Sequence, residues 1–395
     1  MNNTASNNRW LLPQGIEEAL PADAARLESL RRNLLDIYAS WGYELVMPPM
    51  IEFLDSLLTG TGHDLDLQTF KLIDQLTGRS MGMRADMTPQ VARIDSHRLK
   101  NETPNRLCYM GTVLRTLPDG FGSSRSPFQA GVELYGHGGI ESDVEVLCLM
   151  VETLRASGIK DISIDIGHVG LYRGLAKQAG FDEDQEATLF EMMQRKAIPE
   201  IQSFLDSQSI EKNVAEMLNA LPELNGDDSC LQRAQKILSN ADDEVKDALS
   251  YLQQAVAKFK QRVGDVAIHF DLSELRGYHY HTGLLFAAYT PDEGQEIARG
   301  GRYDDIGHVF GRARPATGFS TDLKNLLNLS QQMEVLSSSA ILAPSDDDPE
   351  LWTTVQRLRA QGEKVIQSLP GQLGDAADLG CDRELKNISG KWVVK

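Results

Sequence analysis

The strongest constraint on the fold is an interruption in the pattern of strands. Strand-like sequence stops in the middle of the chain and resumes only near Val266, and helix formers fill the interval. Residues 181–265 also carry 17 acidic and 9 basic side chains, so the interval is acidic as well as helical. Since neighbouring strands complete one sheet, we predict a helical insertion, residues 170–262, within a core built from residues 10–169 and 263–330.

The core combines one amphipathic helix with short strands. Apolar residues between Leu27 and Tyr38 recur at helical spacing, and the pattern stops at Gly42, which favours a glycine C-cap. Among the strand-like runs that follow, residues 107–115 and 127–136 are separated by a turn-rich stretch. This mixture predicts an α+β fold whose centre is an antiparallel sheet flanked by helices.

The two ends of the chain differ from the core. Residues 1–9 are polar and are expected to be disordered. A linker rich in Ser and Gln precedes residues 337–395, where strand-like runs alternate with a helical pattern that begins near Pro349. These residues are expected to form a small α/β C-terminal domain.

Composition argues against several classes of protein. The formal net charge is -18, from 57 acidic and 39 basic residues, so the overall field repels nucleic acid. The sequence has neither a signal peptide nor an apolar run of about 20 residues, which favours a cytoplasmic protein without a membrane segment. Cys108, Cys148, Cys230 and Cys381 are scattered, so we expect buried, reduced thiols and neither a disulfide framework nor a metal site.

A first group of polar residues suits a small charged ligand. Arg84 and Arg115 lie beside strand-like sequence. Gln129 and Glu133 are four residues apart on one predicted strand, so their side chains emerge on the same face. An amide and a carboxylate beside two arginines fit a zwitterion. Ion pairs on a solvated surface explain the same residues equally well.

The segment LRGYHYHTG is a second candidate for ligand contacts. In a strand, Arg276, Tyr278 and Tyr280 would share one face, and His279 and His281 the other. An arginine with two tyrosines can hold a carboxylate and stack on a planar ring. Aromatic residues are, however, also ordinary strand formers.

A third candidate is the segment ARGGRYDDIG. Gly300 and Gly301 permit a close approach of the backbone to a ligand, and Arg302 and Tyr303 follow directly. Glycine pairs more often form turns. The sequence contains no phosphate-binding loop, serine-hydrolase motif or zinc-protease motif, which argues against those enzyme classes.

In this order and spacing the three segments resemble the class II aminoacyl-tRNA synthetases, and histidyl-tRNA synthetase in particular. WGYELVMPPMIE is similar to motif 1, which builds the dimer interface of that family, and MRADMTP with the stretch from YMGTVLR to VELYG is similar to motif 2. LRGYHYHTG and ARGGRYDD resemble the two histidine-specific signatures, and ARPATGFSTDLKNLL resembles motif 3. The resemblance covers residues 10 to 330 and implies the class II fold.

The resemblance also implies a histidine-binding site. Asp86 stands where the family has Glu, and His281 stands where it has Tyr. The residues at the amino-acid-binding positions are Asp86, Thr88, Arg115, Gln129, Glu133, Arg276, Tyr280 and Tyr303.

Side-chain chemistry suggests a role for each part of that site. Glu133 would accept a bond from the imidazole of histidine and determine specificity, and Arg276 would hold the ligand carboxylate. Thr88 and Gln129, with help from Asp86, would then hold the amino group.

The departures from the synthetase pattern fall on the ATP side. The family has Glu two residues after the arginine of motif 2, whereas here Leu117 follows Arg115. Motif 3 of the family reads Gly-Leu-Glu-Arg, and residues 322–325 read Asp-Leu-Lys-Asn. The arginine that grips the ATP triphosphate in the family is therefore Asn325, and Asp322 adds a negative charge. Because losing one preorganised charge partner costs about 3 kcal/mol of transition-state stabilisation, we expect no adenylate formation.

A site that keeps an amino-acid pocket and loses its ATP clamp suits a sensor. The combination resembles the regulatory subunit of the short-form ATP phosphoribosyltransferase, which opens histidine biosynthesis. This resemblance implies a non-catalytic chain without a cofactor, which activates a catalytic subunit within a hetero-octamer and transmits feedback inhibition by histidine. It also implies a homodimer, formed through Trp41–Glu52.

Residues 331–395 carry 10 acidic and 7 basic side chains, which makes a poor surface for tRNA. No tRNA partner is therefore expected.

Two other functions fit parts of the sequence. One is a working histidyl-tRNA synthetase, which the altered motif 3 and the acidic tail oppose. The other is a stand-alone amino-acid-binding protein. That protein would differ from a regulatory subunit by forming no larger species with a catalytic partner.

Overall fold

A computed structural model of the chain describes residues 10–59, 63–118, 124–275, 280–291, 293–330 and 339–395. The chain divides into two compact units, Met1–Met333 and Glu334–Lys395. Residues 1–9, predicted to be disordered, lie outside the described residues. Within the described ranges, no helix is long and apolar enough to cross a membrane.

The first unit mixes helices and short strands. Its helices are α1 (Pro21–Ser40), α2 (Leu54–Leu58), α3 (His63–Gln68), α4 (Thr88–Arg93), α5 (Ile140–Ala156), α6 (Val169–Gln178), α7 (Glu183–Gln194), α8 (Ile198–Ser207), α9 (Lys212–Ala220), α10 (Ser229–Ile237), α11 (Asp243–Arg262) and α12 (Leu323–Leu329). Shorter helical turns are the π-helical Ile94–Leu99 and the 3-10 turns Leu221–Glu223, Leu238–Asn240 and His308–Phe310. Its strands are β1 (Glu44–Leu45), β2 (Ile51–Phe53), β3 (Lys71–Ile73), β4 (Ser80–Met83), β5 (Asn105–Thr112), β6 (Phe128–Tyr135), β7 (Ser163–His168), β8 (Asn225–Gly226), β9 (Ala267–Asp271), β10 (Leu284–Tyr289), β11 (Ala298–Arg302) and β12 (Ala316–Asp322).

Among the described residues, nine of these strands form one sheet, in the order β1-β5-β6-β12-β11-β10-β7-β9-β8. From β5 to β7 every neighbouring pair is antiparallel, whereas β1 with β5 and β7 with β9 are parallel. The strand β7 precedes the helical interval, yet it lies between β9 and β10, which follow that interval. The sheet is therefore completed after the interruption, and the predicted α+β fold with an antiparallel centre is confirmed.

The interval between β7 and β9 is mostly helical and shares the core of the sheet. On α11, Val245, Leu249, Leu252, Val256 and Phe259 are buried at helical spacing, and this helix packs against α5 and α6. The short strand β8 extends the sheet through β9. Buried side chains of the interval and of the sheet form one continuous apolar cluster within the first unit.

Helix α1 ends as its sequence predicts. Leu30, Leu34 and Tyr38 are fully buried at successive turns. Gly42 has a φ of 82°, and the backbone N–H of Tyr43 donates to the carbonyl of Tyr38. A glycine in the left-handed region therefore reverses the chain at the helix terminus.

The second unit is a small sheet with one helix. It contains β13 (Ala340–Ala343), α13 (Pro349–Ala360), β14 (Lys364–Gln367), β15 (Arg383–Ile388) and β16 (Lys391–Val394). The strand order is β14-β13-β15-β16, in which β13 is parallel to both neighbours and β16 is antiparallel to β15. Ile341, Leu351, Val355 and Leu385 belong to its apolar core. The α/β character predicted for the C-terminal residues is therefore present.

A buried ion pair joins three elements of the first unit. Arg302 at the end of β11 and Asp143 in the first turn of α5 are 4% and 0% exposed, and the guanidinium Nη2 lies 3.0 Å from Asp143 Oδ1. The same guanidinium donates to the Ser142 hydroxyl and to two backbone carbonyls. Tyr251 on α11 donates to the other Asp143 oxygen. The sheet, α5 and α11 are therefore held by one polar cluster.

Removal of the carboxylate from this cluster tests how strongly it holds the fold. In Asp143→Ala the guanidinium of Arg302 stays buried without its main counter-charge, and we expect a loss of about 3–5 kcal/mol in the free energy of unfolding. The matched control is Asp265→Ala, because Asp265 pairs with Arg155 on the surface. That substitution should cost at most about 1 kcal/mol. Urea unfolding measures both losses. If both variants lose the same small amount of free energy, the pair of Asp143 and Arg302 does not hold the fold together.

Candidate functional site

The centre of the candidate site is the carboxyl group of Glu133 on β6, which is 1% exposed. The Tyr109 hydroxyl donates to Oε1 at 3.0 Å, and the Tyr303 hydroxyl donates to Oε2. Burial raises the pKa of Glu133 to about 8, against the opposing effect of the Tyr303 bond, and the nearby Asp86 carboxylate raises it further. Without a ligand, Glu133 is therefore mainly protonated at neutral pH.

Two glycines leave the sheet bare beside this carboxyl group. Gly318 on β12 is paired with Glu133 on one side and with Gly301 of β11 on the other. A Cβ atom at position 318 would lie 1.7 Å from Glu133 Oε2, and one at position 301 would lie 2.8 Å from Cε1 of His281. Directly paired residues point to the same face of an antiparallel sheet. Both glycines are therefore required for Glu133 and His281 to lie flat against the backbone.

The loop before α4 forms a second part of the site. Asp86 Oδ1 accepts bonds from the Gln129 amide at 2.8 Å and from the backbone N–H of Thr88 at 3.0 Å. The Gln129 carbonyl oxygen accepts from the backbone N–H of Met87 at 3.0 Å. The Thr88 hydroxyl lies 3.1 Å from the Tyr109 hydroxyl, which itself bonds to Glu133. This chain of bonds fixes the loop relative to the central carboxyl group.

A cavity of about 610 Å³ opens over these groups. Six of the eight predicted histidine-binding residues line it, namely Asp86, Thr88, Arg115, Glu133, Tyr280 and Tyr303. Gln129 lines the adjoining cavity and reaches the first one through its bond to Asp86. Arg276 lies outside the described residues. The chain fold therefore brings together seven of the predicted residues from five separate segments.

The predicted strand at LRGYHYHTG is wrong for the part that the structure describes. Residues 280–283 are not in a strand, which begins at Leu284. The rings of Tyr280 and His281 lie 4.4 Å apart and do not point to opposite faces. The reason is the carbonyl of Arg302, which binds both the backbone N–H of Thr282 and the Nδ1 of His281. These bonds turn the chain out of the alternating pattern, while Arg276, Tyr278 and His279 lie outside the described residues.

The sequence analysis also missed Tyr109. Its hydroxyl connects Thr88 with Glu133, and its ring is fully buried. A large residue opposite a glycine could have indicated its position, since Tyr109 is paired with Gly131 on the neighbouring strand. That pairing becomes visible only when the register between β5 and β6 is known.

The adjoining cavity, of about 510 Å³, contains the residues that depart from motif 3. Asp322 Oδ1 accepts the backbone N–H groups of Phe128 at 2.9 Å and Lys324 at 3.0 Å, so this carboxyl group caps α12. The Lys324 ammonium donates to the Ser126 carbonyl at 2.8 Å. Asn325 lines the cavity with a neutral amide. Where the resemblance places a triphosphate clamp, the side chains instead stabilise the local fold.

Within the described residues, no group of three His, Cys, Asp or Glu side chains is placed to hold a metal ion.

Comparisons with known proteins extend over the whole chain. A family model described as Histidyl-tRNA synthetase matches residues 15–326, and one described as ATP phosphoribosyltransferase subunit HisZ C-terminal domain matches residues 338–395. The chain is 60% identical over 389 residues to a Thioalkalivibrio sulfidiphilus protein named ATP phosphoribosyltransferase regulatory subunit, with 98% of each chain covered. A protein of the same name from Alkalilimnicola ehrlichii is 55% identical, with 99% of this chain and 98% of the other covered.

Solved structures share the fold. The crystal structure of an ATP phosphoribosyltransferase regulatory subunit/histidyl-tRNA synthetase from Bacillus halodurans matches with a TM-score of 0.82 and 26% identity, covering 93% of this chain and 95% of that chain. Histidyl-tRNA synthetase from a Nostoc species matches with a TM-score of 0.76 and 18% identity, covering 96% and 91%. At that identity the likeness concerns the fold alone. The predicted class II synthetase-like core is confirmed.

The raised pKa of Glu133 predicts a specific pH dependence of stability. Between its ordinary value of 4.5 and about 8, the folded chain keeps a proton that the unfolded chain has lost. The stabilising effect of this proton is therefore complete below pH 4.5 and is lost as the pH rises through about 8. Glu133→Gln imitates the protonated group at every pH, so its free energy of unfolding should gain a few kcal/mol relative to wild type over that range.

Denaturant unfolding of both proteins at several pH values checks this prediction. The control is Glu183→Gln, a change of an exposed carboxyl group in the first turn of α7. The free energy of unfolding of this control should differ from that of wild type by nearly the same amount at every pH. If the difference between Glu133→Gln and wild type is also the same at every pH, Glu133 is ionised in the empty site.

Proposed function

Because this chain belongs to the family of ATP phosphoribosyltransferase regulatory subunits, which shares the histidyl-tRNA synthetase fold, we propose that it activates a separate catalytic subunit and transmits feedback inhibition by histidine. The observation that carries this proposal is the contrast between the two cavities. One offers the buried carboxyl group of Glu133 and the hydroxyls of Thr88 and Tyr303 around a bare patch of sheet. The other has an amide at the position of the triphosphate clamp. Such a chain can recognise histidine without adenylating it.

The retained cavity suits histidine in a defined orientation. The imidazole lies against Glu133, the buried hydrogen-bonding group nearest to the bare glycines. The amino group lies near Thr88 and Asp86, and Gln129 holds Asp86 in place. The ligand carboxylate is assigned to Arg276 by the chemistry of the guanidinium alone. Arg115, Tyr280 and Tyr303 complete the wall.

Feedback through this site requires that histidine bind one arrangement of the complex more tightly than another. Coupling free energies of this kind are about 1–3 kcal/mol, equivalent to roughly 5- to 150-fold in affinity. The glycine-lined cavity contacts α7 through Ala187, Phe190 and Gln194 of the helical interval. A ligand there touches both the sheet and that interval, so its binding can bias their relative position.

The further assembly follows from the family and from the surface of the chain. We propose a homodimer through Trp41–Glu52, where Met47 is 78% exposed and the edge strand β1 pairs only with β5 among the described strands. Dimers of this chain would join catalytic subunits in a hetero-octamer.

The net charge of -18 opposes tRNA binding. The four cysteines are buried, free thiols, as predicted, which suits the reducing cytoplasm.

The altered ATP side predicts that the chain does not form histidyl-adenylate. Asn325 lacks the cation that the triphosphate requires, and the carboxyl group of Asp322 is used to cap α12. We expect no histidine-dependent exchange between ATP and pyrophosphate above background. An authentic histidyl-tRNA synthetase in the same assay is the positive control. Exchange at about 1 per second or faster, ordinary for an enzyme, would contradict the proposal.

Feedback inhibition should depend on Glu133. In Glu133→Ala the imidazole loses its buried partner, at a cost of about 1–3 kcal/mol, so histidine affinity should fall roughly five- to 150-fold. Calorimetry of this chain measures the affinity, and phosphoribosyltransferase assays with the catalytic subunit measure activation and inhibition. Glu183→Ala, on the exposed start of α7, serves as the control and should behave as wild type.

The outcomes separate the two parts of the proposed function. Weaker histidine binding with a matching shift in inhibition supports the assignment. Unchanged affinity in Glu133→Ala would place the histidine site elsewhere. No stimulation of the catalytic subunit by the wild-type chain, and no larger species on gel filtration of the mixture, would identify a stand-alone binding protein.

A further inference from the structure

The helix α7 ends in a turn that usually contains glycine. Lys196, which follows the last residues of this helix, has a φ of 49°, in the left-handed region. Its backbone N–H donates to the Met193 carbonyl at 2.9 Å, and the N–H of Ala197 donates to the Met192 carbonyl at 3.0 Å. These two bonds define a Schellman motif, in which glycine is the favoured left-handed residue. A lysine here gives the turn a side chain that glycine would lack.

That side chain binds a carboxylate at the end of β9. The Lys196 ammonium donates to Asp271 Oδ2 at 2.6 Å, and Asp271 is only 9% exposed. The other carboxylate oxygen, Oδ1, accepts from the backbone N–H of Ser273 at 3.1 Å and from its hydroxyl at 2.8 Å. The backbone carbonyl of Asp271 accepts from the N–H of Glu274 at 3.2 Å. Asp271 therefore shapes the turn after β9 and also anchors the end of α7.

Both anchored segments are walls of the glycine-lined cavity. The turn after β9 contributes Glu274 to its lining. The helix α7 contributes Ala187, Phe190, Glu191 and Gln194. Among the described residues, Lys196 and Asp271 do not themselves line this cavity. Their ion pair therefore acts on the cavity through the walls that it joins.

The joined walls affect how strongly a ligand can bind. A ligand that contacts two separate segments binds more tightly when they are already held in the arrangement that it requires, because less conformational freedom is lost on binding. The pair of Lys196 and Asp271 supplies such a restraint, with a charge-assisted hydrogen bond between the two segments. Its loss should weaken histidine binding without removing any group that contacts histidine.

We propose that Lys196 is a positioning residue, which holds α7 to the turn after β9 through Asp271 and keeps both walls of the cavity in the arrangement that binds histidine. This inference rests on the proposed histidine site and deepens it. The ion pair is then a physical link between the bound ligand and the helical interval.

The variant Lys196→Gly separates the side chain from the backbone conformation. Glycine adopts the left-handed turn without strain, which offsets the loss of a half-exposed ion pair, so the free energy of unfolding should stay close to that of wild type. Histidine affinity should nevertheless fall about three- to tenfold, because the bond to Asp271 is lost. Lys196→Arg keeps a cation and should bind histidine as wild type does. Calorimetry of the full-length chain measures the affinity, and urea unfolding measures the stability.

The variant Asp271→Asn tests the same bond from the other partner. The amide oxygen still accepts the two Ser273 bonds, so the turn is kept, whereas the charge that binds Lys196 is removed. Histidine affinity should again fall about three- to tenfold, and adding Lys196→Gly should cause no further loss. The matched control is Lys177→Met. Lys177 on α6 pairs with Glu244 on α11 at 2.6 Å, and neither of these described residues lines the cavity, so histidine affinity should not change.

The outcomes separate this inference from the proposed function. If wild type does not bind histidine, the histidine site is refuted and this inference with it. If histidine binds and depends on Glu133, but Lys196→Gly binds it as tightly as wild type, the inference about Lys196 alone is wrong. A loss of affinity that accompanies an equal loss of stability, and that Lys196→Arg does not repair, would also overturn it. Should Asp271→Asn fail to fold, the two Lys196 variants decide.

Discussion

The buried pair of Arg302 and Asp143 sets the geometry on which the cavity depends. The guanidinium fixes the end of β11 to the first turn of α5, deep in the first unit. The backbone carbonyl of the same arginine holds His281, and the next residue, Tyr303, donates to Glu133. His281 and Glu133, which both line the glycine-lined cavity, are therefore positioned from one point of the chain. A neutral pair of similar volume can stabilise a core equally well, but it does not fix directions in this way.

Two cavities lie on the same face of the sheet, and their side chains have different roles. Arg115 and Arg299 line both cavities, so the boundary between them is shared. On one side, paired glycines leave a flat strip for a ligand ring. On the other side, Asp322 uses its carboxylate to bind two backbone N–H groups and ends β12 at the start of α12. The negative charge that the sequence suggested as an obstacle to ATP is thus first of all a helix cap.

Periodicity and composition were sufficient for the parts of the fold that depend on local sequence. The glycine cap of α1 and the helical interval followed from spacing along the chain, and the shared face of Gln129 and Glu133 followed from strand alternation. The resemblance to a known family supplied the set of site residues, seven of which the fold brings to the two cavities. Pairing across the sheet was not available from the sequence. For this reason Tyr109 was missed and the segment before β10 was assigned to a strand, although the Arg302 carbonyl pulls it out of one.

The central claim, that histidine occupies the cavity beneath Glu133, is tested most directly by a crystal structure of the chain grown with L-histidine. The account predicts one histidine in this cavity, with its imidazole against Glu133 and close to Gly318. One ring nitrogen should lie at hydrogen-bonding distance from the carboxyl group of Glu133, about 2.7–3.2 Å. An empty cavity, with ordered histidine bound between subunits or elsewhere on the surface, would contradict it.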